Sequence, residues 1–513
     1  MRNSSEMARN QALFDQGPPP PCPPAFNIAA HTLDAGQPDD KTALVLAGKV
    51  VETFTFADLR AMVQGTMTGL STHGIRPGDR VLLRIGHQLD FPILFFALAG
   101  LGACPVPTAP GLTKGEIEAV AARLAPVLTI AAPGLCAPDG PRLSVEAARH
   151  WRRLAPTAWA NTRANDPAYV IFTSGTGGHA HGVVHAHRAA HARRMMWRGW
   201  YGLTPRDRVL HAGAFNWTYT LGAGLTDPWA MGATSVIYSG AAEPGIWADL
   251  MASQGISIFA AAPGVYRQVL NARQMRPGDA PALRHGLSAG EAMAPRLAAA
   301  WAEATGTPVL QALGMTECST YASQSPESDA MRPQPGRRLA ILADDAAHPI
   351  APGTEGRIAL SRRDPGLMLG YLDDSGAPHL PLEGEWFDTG DRGTLDADGT
   401  LTHLGRADDL VNAQGVRVSS AEVERVLVDH PDIAEAAVLA LPVRADVEVL
   451  AAIVIPAPHA QVTEADVIAY CRTRLADYKL PRKICLADHF PRTATGKVTK
   501  HELARIFGWK EGT

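Results

Sequence analysis

A chain of 513 residues is too long for one compact core, so two or more domains are the default. Hydrophobic residues make up 46% and charged residues 19%, with a formal net charge of −4, which gives neither a basic field for nucleic acid nor an acidic tail. Six cysteines stand far apart without a C-x-x-C pair, which argues against a disulfide framework or zinc knuckle and suits a reducing cytoplasm.

Residues 1–26 contain no apolar stretch of signal-peptide kind, and the prolines from Pro18 to Pro24 cannot join a helix or sheet ladder. They read as a surface extension. FNIAAHTLDA then opens a helix, KTALVLAG and VVETFTF read as strands, and FADLRAMVQGTMTGLSTHG as a helix. Residues 91–113 carry no charge, but Pro92, Pro105, Pro107 and Pro110 interrupt them. The run is therefore a buried helix followed by a strand, not a membrane span. RVLLRIG, PVLTIAA, YVIFTSG, TSVIYSG and ISIFAAAP alternate with alanine-rich helical segments, which predicts an α/β architecture with mostly parallel sheets. From about Asp408 the pattern changes. A helix around Ser420 to Asp429, strands EAAVLALPV and AAIVIPAP, and a helix from Thr463 to Leu475 predict a small α+β domain. The expected division is an extension at 1–26, a large domain at 27–407 and a small one at 408–513.

Five segments carry chemistry. In YVIFTSGTGGHAHGVVHAHR, a strand-like run ends at Thr173, Ser174, Gly175, Thr176 and Gly177. Glycines let backbone N–H groups approach an anion and hydroxyls add donors, so this loop suits a polyphosphate, although it is not a Walker loop. Taken alone it would be an ordinary turn. The histidines at 179, 181, 185 and 187 invite a metal reading, but no cysteine or acidic cluster accompanies them. Residues 283–306 include G-L-S-A-G at Ser288, a literal nucleophile-elbow pattern. With Asp391 and His403 downstream it admits a serine hydrolase, yet no H-G-G-G-type segment precedes it. In PVLQALGMTECSTY, Thr316 can donate to a phosphate oxygen and Glu317 can hold Mg2+. Within 386–424, Asp391 can accept two hydroxyl hydrogens of a ribose and Arg406 can donate a fork of N–H groups. Each of these charges, like Lys497 in PRTATGKVTK, would alone read as solvated surface.

Together the five segments closely resemble, in kind and order, the signature of acyl-adenylate-forming (AMP-binding) enzymes. That superfamily comprises acyl-CoA synthetases, peptide-synthetase adenylation domains and luciferase-like ligases. The resemblance runs from about Asn27 to Lys500. It implies ribose contacts at Asp391 and Arg406, phosphate and Mg2+ contacts at Thr316 and Glu317, and an adenine-covering loop at Gly290, Glu291 and Ala292. Gln311 stands where the family has Asp or Asn near the adenine amino group. Lys497 corresponds to the lysine that bridges the acid and the forming phosphoryl ester. Asp408 corresponds to the hinge, while Asn412, Gly415 and Arg417 match the N-x-x-G-x-R pattern beside the CoA tunnel of short-chain acyl-CoA synthetases. HAGAFNWTYTLGAGLTDPWAMGATSVIY resembles the substrate side of benzoate-CoA-ligase-like enzymes, with Phe215, Trp217 and Tyr219 as pocket candidates beside Ser288, Gly314 and Met315. A glycine at 314, where acetate-restricted relatives have tryptophan, implies room for a longer or aromatic acid.

The phosphate loop departs from the family's TSGTTGxPKGV. Gly177 replaces a threonine, Ala180 the proline, and His181 the lysine. Free histidine titrates near pH ~6.5 whereas lysine stays charged, so ATP affinity is expected to weaken with rising pH. The reading that follows is an ATP-dependent acid–CoA ligase using ATP, Mg2+ and coenzyme A. It would form an acyl-AMP and then the thioester, without nucleic-acid or membrane partners, and a homodimer would be in keeping with the type. The alternatives are an adenylation enzyme loading a carrier-protein thiol, a nucleotide-binding relative with impaired catalysis, and the hydrolase at Ser288.

Overall fold

The computed structural model describes residues 11–174, 180–240, 243, 245–273, 275–406, 410–413, 416–444, 447–458, 460–492 and 498–509. Its largest sheet has nine strands, in the spatial order 328–333, 319–325, 309–315, 285–288, 258–261, 208–211, 234–238, 42–47 and 52–55. The six central strands, from 309–315 to 42–47, run parallel. They are buried and rich in branched or small apolar residues, as expected of strands covered on both faces. A second, four-stranded sheet (80–84, 104–107, 128–131 and 142–144) is also parallel.

The mostly parallel expectation holds for these two sheets; the others contain antiparallel pairs. Strands Pro167–Ser174 and Ala180–Ala186 form a hairpin joined by Gly370–Leu372. A five-stranded antiparallel sheet contains Leu13–Asp15, Arg338–Leu342, Gly356–Ser361, Trp386–Leu395 and Leu401–Arg406. The first of these strands belongs to the N-terminal extension, which thus contributes to a sheet just before its proline run begins.

Helix starts follow local capping. Thr55 with Asp58 and Thr463 with Asp466 form capping boxes that open Phe56–Thr72 and Glu464–Arg472. The uncharged run beginning at residue 91 forms the helix Asp90–Gly100, buried along its whole length, followed by the strand Cys104–Pro107. Each fully buried phenylalanine on that helix contributes about 1.5–3 kcal/mol. Among the described residues no helix is long and apolar enough to cross a membrane.

Residues 410–509 build a separate sheet from 410–413, 416–419, 433–444, 447–456 and 483–486, with its own apolar core around Val423, Leu427, Val438, Leu450 and Val467. The helices Ser420–Val428 and Glu464–Arg472 pack on it.

Candidate active site

The carboxyl ends of the central parallel strands hold the adenine-loop, turn and aromatic candidates, as crevices in open α/β sheets do. The strand His285–Ser288 runs into Gly290, whose φ of +99° suits glycine. A side chain at Gly290 would also strike Trp217, since a Cβ there would lie 2.6 Å from Cζ2 of the indole. Trp217 is half-buried and crosses Tyr219 edge to face. Tyr219 itself is buried, with its hydroxyl donating to the Leu287 carbonyl at 2.8 Å. Phe215 stacks on Phe91 at 4.6 Å within the core. Of the three aromatic candidates, Trp217 alone combines partial exposure with contact to the loop.

Ser288 is buried and its hydroxyl has no hydrogen-bond partner. Without a base beside it, the elbow reading loses its nucleophile. Glu291 is half-buried beside Arg267 and Arg492. Burial raises its carboxyl above the ordinary value, against the pull of Arg492 and then Arg267. Ala292 and Gly290 are exposed. The amide oxygen of Gln311 accepts from the Met293 N–H at 3.2 Å, so it braces the loop and keeps one lone pair for another donor.

The strand Val309–Met315 returns as Ser319–Ser325 through a turn at Thr316, Glu317 and Cys318. Gly314 is exposed and Met315 half-buried at the end of the first strand. At Gly314 a Cβ would meet the Ser319 carbonyl oxygen and the Thr320 Cα, each at 2.9 Å. Close strand approach therefore requires this glycine, a cause the sequence comparison with acetate-restricted relatives does not supply.

Two buried arginines hold the turn from beneath. Arg337 pairs with Asp364 at 2.6 Å and donates to the carbonyls of Cys318 and Thr320. Arg193, paired with Asp227 at 2.7 Å, donates to Ser319, whose φ is +62°. Glu317 is 8% exposed, and the Tyr371 hydroxyl donates to one of its carboxylate oxygens at 2.8 Å. Burial and then the nearby Glu317 charge raise the Tyr371 hydroxyl pKa, so it remains a proton donor. Among the described residues, no group of three or more His, Cys, Asp or Glu could hold a metal. A single carboxylate with one oxygen left over fits Mg2+, which is ordinarily bound through one or two carboxylates plus substrate phosphates.

Tyr371 also links this turn to the phosphate-loop hairpin. Its strand pairs with Ala180–Ala186, and its ring lies 5.6 Å from the exposed ring of His181. Thr173 faces His181 and Ser174 faces Ala180 across the hairpin. Gly175, Thr176 and Gly177 lie outside the described residues. His185 stacks on Tyr169 at 4.7 Å, while His187 accepts from the Ile28 N–H. Both are buried and fill structural places, so these histidines do not gather around a metal with His181.

Asp391 lies opposite Arg406 on adjacent antiparallel strands. The strand backbone before it is fixed locally: Asp388 accepts from the Gly390 N–H at 2.7 Å, and Thr389 accepts from the Asp391 N–H at 3.1 Å. Gly390 has φ +72°, and a Cβ there would lie 2.7 Å from Arg406. Asp391 receives the Tyr321 hydroxyl at 2.6 Å, with His403 at 3.4 Å and Arg406 at 3.6 Å from its other oxygen. Burial pushes its carboxyl up, but His403, Tyr321 and Arg406 outweigh this and hold it below the ordinary value.

Tyr321 and Tyr371 were not among the site residues expected from sequence, and His403 was noted only as part of the hydrolase alternative. Asn412 and Arg417 are register partners on the antiparallel strands Leu410–Ala413 and Val416–Ser419. Gly415, Asp408 and Lys497 lie outside the described residues. The base of the segment containing Lys497 is described, with Arg492 bridging to Val498.

The AMP-binding enzyme family matches residues 32–372, and the AMP-binding enzyme C-terminal domain matches residues 422–497. Benzoate–CoA ligase of Thauera aromatica is 29% identical over 479 residues, covering 88% of this chain and 90% of its own. 3-Hydroxybenzoate–CoA ligase of Aromatoleum sp. (strain CIB) is 28% identical over 496 residues, covering 91% and 94%. The crystal structure of the anthranilate CoA ligase AuaEII in complex with anthranoyl-AMP matches with a TM-score of 0.85 at 27% identity, covering 94% of this chain and 98% of that one. With the first family match spanning well over half of its length, the chain belongs to the AMP-binding enzymes.

Proposed function

We infer that this protein is an AMP-forming acid–CoA ligase that activates an aryl or medium-chain carboxylic acid. One observation carries the reading. A single hairpin presents Thr316 and Glu317 on its turn, where Tyr371 ties Glu317 to the phosphate-loop side, and from its second strand Tyr321 donates to Asp391. Groups suited to phosphate, cation and ribose are thus coupled through one element. The benzoate and 3-hydroxybenzoate ligases among the relatives favour an aryl acid, as does the half-buried Trp217 beside Gly290.

In the first half-reaction the carboxylate oxygen attacks the α-phosphorus of ATP and pyrophosphate leaves. Asp391 and Arg406 hold the ribose, and Gly290 to Ala292 cover the adenine. Thr316 donates to the α-phosphate. Glu317 would hold Mg2+, which would supply positive charge to offset that of the phosphates. Lys497 offsets charge developing at the transferred phosphoryl group, while His181 takes the place of the loop lysine. In the second half-reaction the unit beginning at 408 turns about Asp408, carries Lys497 away, and brings Asn412, Gly415 and Arg417 to the pantetheine. The CoA thiol then displaces AMP, a better leaving group than hydroxide. All six cysteines are free thiols, in keeping with a reducing cytoplasm.

The test is mass spectrometry of the full chain with MgATP and a pooled panel of aryl and aliphatic acids, with and without CoA. Acyl-AMP without CoA and acyl-CoA with it support the reading and name the acid. ATP binding without adenylate from any acid would overturn it. Adenylate that transfers to a carrier-protein thiol but not to CoA would replace the acceptor.

A further inference from the structure

Two arginines on the large sheet's helices grip the C-terminal unit. Arg296, on helix Pro295–Thr305, donates to the carbonyls of His430 and Ile433. Arg267, on helix Pro263–Ala272, donates to one carboxylate oxygen of Glu435 at 2.7 Å. The other oxygen of Glu435 accepts from Arg492. Arg492 stands at the root of the segment that contains Lys497: it bridges to Val498, and the Thr499 N–H donates to the Pro491 carbonyl at 2.9 Å. Glu435 therefore joins two cations that belong to different parts of the molecule.

The place of this junction matters. Glu291, next to Gly290 in the proposed adenine loop, is close enough to Arg492, Arg267 and Glu435 for all three charges to act on its carboxyl. The Lys497 segment is thus rooted beside the nucleotide end of the site. Side-chain exposures of 31%, 20% and 29% for Arg267, Glu435 and Arg492 leave the pairs partly desolvated. An isolated surface ion pair would contribute little, but a carboxylate between two guanidinium groups does more than either pair alone.

We propose that Glu435 is a positioning residue for the adenylation half-reaction, tying Arg492 at the root of the lysine segment to Arg267 of the large part. This rests on the reading of Lys497 above. It separates the two half-reactions, because the tie must be released before the C-terminal unit turns for thioester formation.

The experiment measures both half-reactions in Glu435→Gln and Arg267→Gln, with Lys497→Ala alongside. Adenylation is followed as ATP–pyrophosphate exchange with the acid found in the panel assay. Thioester formation is followed from supplied acyl-AMP and CoA. Both variants are expected to lose about tenfold or more in exchange while keeping thioester formation within about twofold, and the double variant should lose little more than either single one. Retained thioester formation also shows that the variants fold. Equal loss in both half-reactions, or no loss in either variant, would overturn the proposal. If Lys497→Ala keeps exchange, the lysine reading fails and takes this proposal with it; if Lys497→Ala loses exchange while Glu435→Gln and Arg267→Gln keep it, the tie alone fails and the lysine reading stands.

Discussion

Replacing Gly314 by alanine separates two explanations of one residue. A Cβ at this position would lie 2.9 Å from the Ser319 carbonyl oxygen, 2.9 Å from the Thr320 Cα and 3.1 Å from the Ser319 carbonyl carbon. Ordinary carbon separations begin near ~3.5 Å, so the strands must part by roughly half an ångström. All three obstacles are backbone atoms, and no rotamer change can relieve them. Overpacking of this kind costs about 1–3 kcal/mol. The displaced hairpin carries Thr316, Glu317 and Tyr321, so the strain reaches both the phosphate and the ribose side of the proposed site. Gly314→Ala is therefore expected to lower the melting temperature by a few degrees and kcat/KM for MgATP by about tenfold, since misplacement by an ångström can cost about a hundredfold. Thermal melts and initial rates at saturating acid measure both. If Gly314 served only to keep an acyl pocket open, alanine would instead shift preference toward smaller acids. An unchanged melting temperature with unchanged MgATP kinetics would refute the strand-spacing argument.

Tyr371→Phe removes the hydroxyl from Glu317. A hydrogen bond to a charged group contributes about 1.5–3 kcal/mol, so a Mg2+ titration of ATP use should show a requirement raised about tenfold or more; an unaltered titration would show that Tyr371 does not orient the carboxylate. Asp391 is held below the ordinary carboxylate value, so its contribution to stability is present above the unfolded value near ~3.9 and is lost as pH falls through the folded value. His403→Gln should accordingly lower the urea midpoint at pH 7 and leave it nearly unchanged at the acid end of that window, and an equal loss at both pH values would count against the pairing. His181→Lys should lower the KM for MgATP, because lysine brings a permanent positive charge to the phosphate-loop hairpin; an unaltered KM would show that position 181 does not meet the phosphates.

Local sequence made the motifs legible but not the contacts that join them. The runs KTALVLAG, RVLLRIG, TSVIYSG and ISIFAAAP form strands where their apolar patterning predicts them, whereas the site motifs stood out by resemblance to a family and not by local patterning. Tyr371 meets Glu317 across 54 positions, and Tyr321 meets Asp391 across 70. No periodicity within either segment encodes such a pairing; it arises only when the hairpin, the strand Gly370–Leu372 and the strand Trp386–Leu395 pack together. Phe215 shows the opposite limit. Its aromatic character was visible, but whether it lined a pocket or stacked on Phe91 depended on a helix more than a hundred residues earlier. Strand direction was legible where crossover helices impose parallel pairing, and less so in the hairpin-rich region after Ser319, where short turns impose the reverse.

Leu13–Asp15 closes one side of the sheet that also contains Trp386–Leu395, pairing residue for residue with Arg338–Ala340. Cutting the chain back to the start of the large domain at residue 27 would strip that cover and leave the backbone donors and acceptors of a largely buried, apolar strand, RLAIL, facing water. An uncovered edge of this kind is a template for a strand from another molecule. Removal of the short segment before the prolines would therefore bare this edge, and a shortened protein would be expected to aggregate through it even with every proposed active-site residue intact.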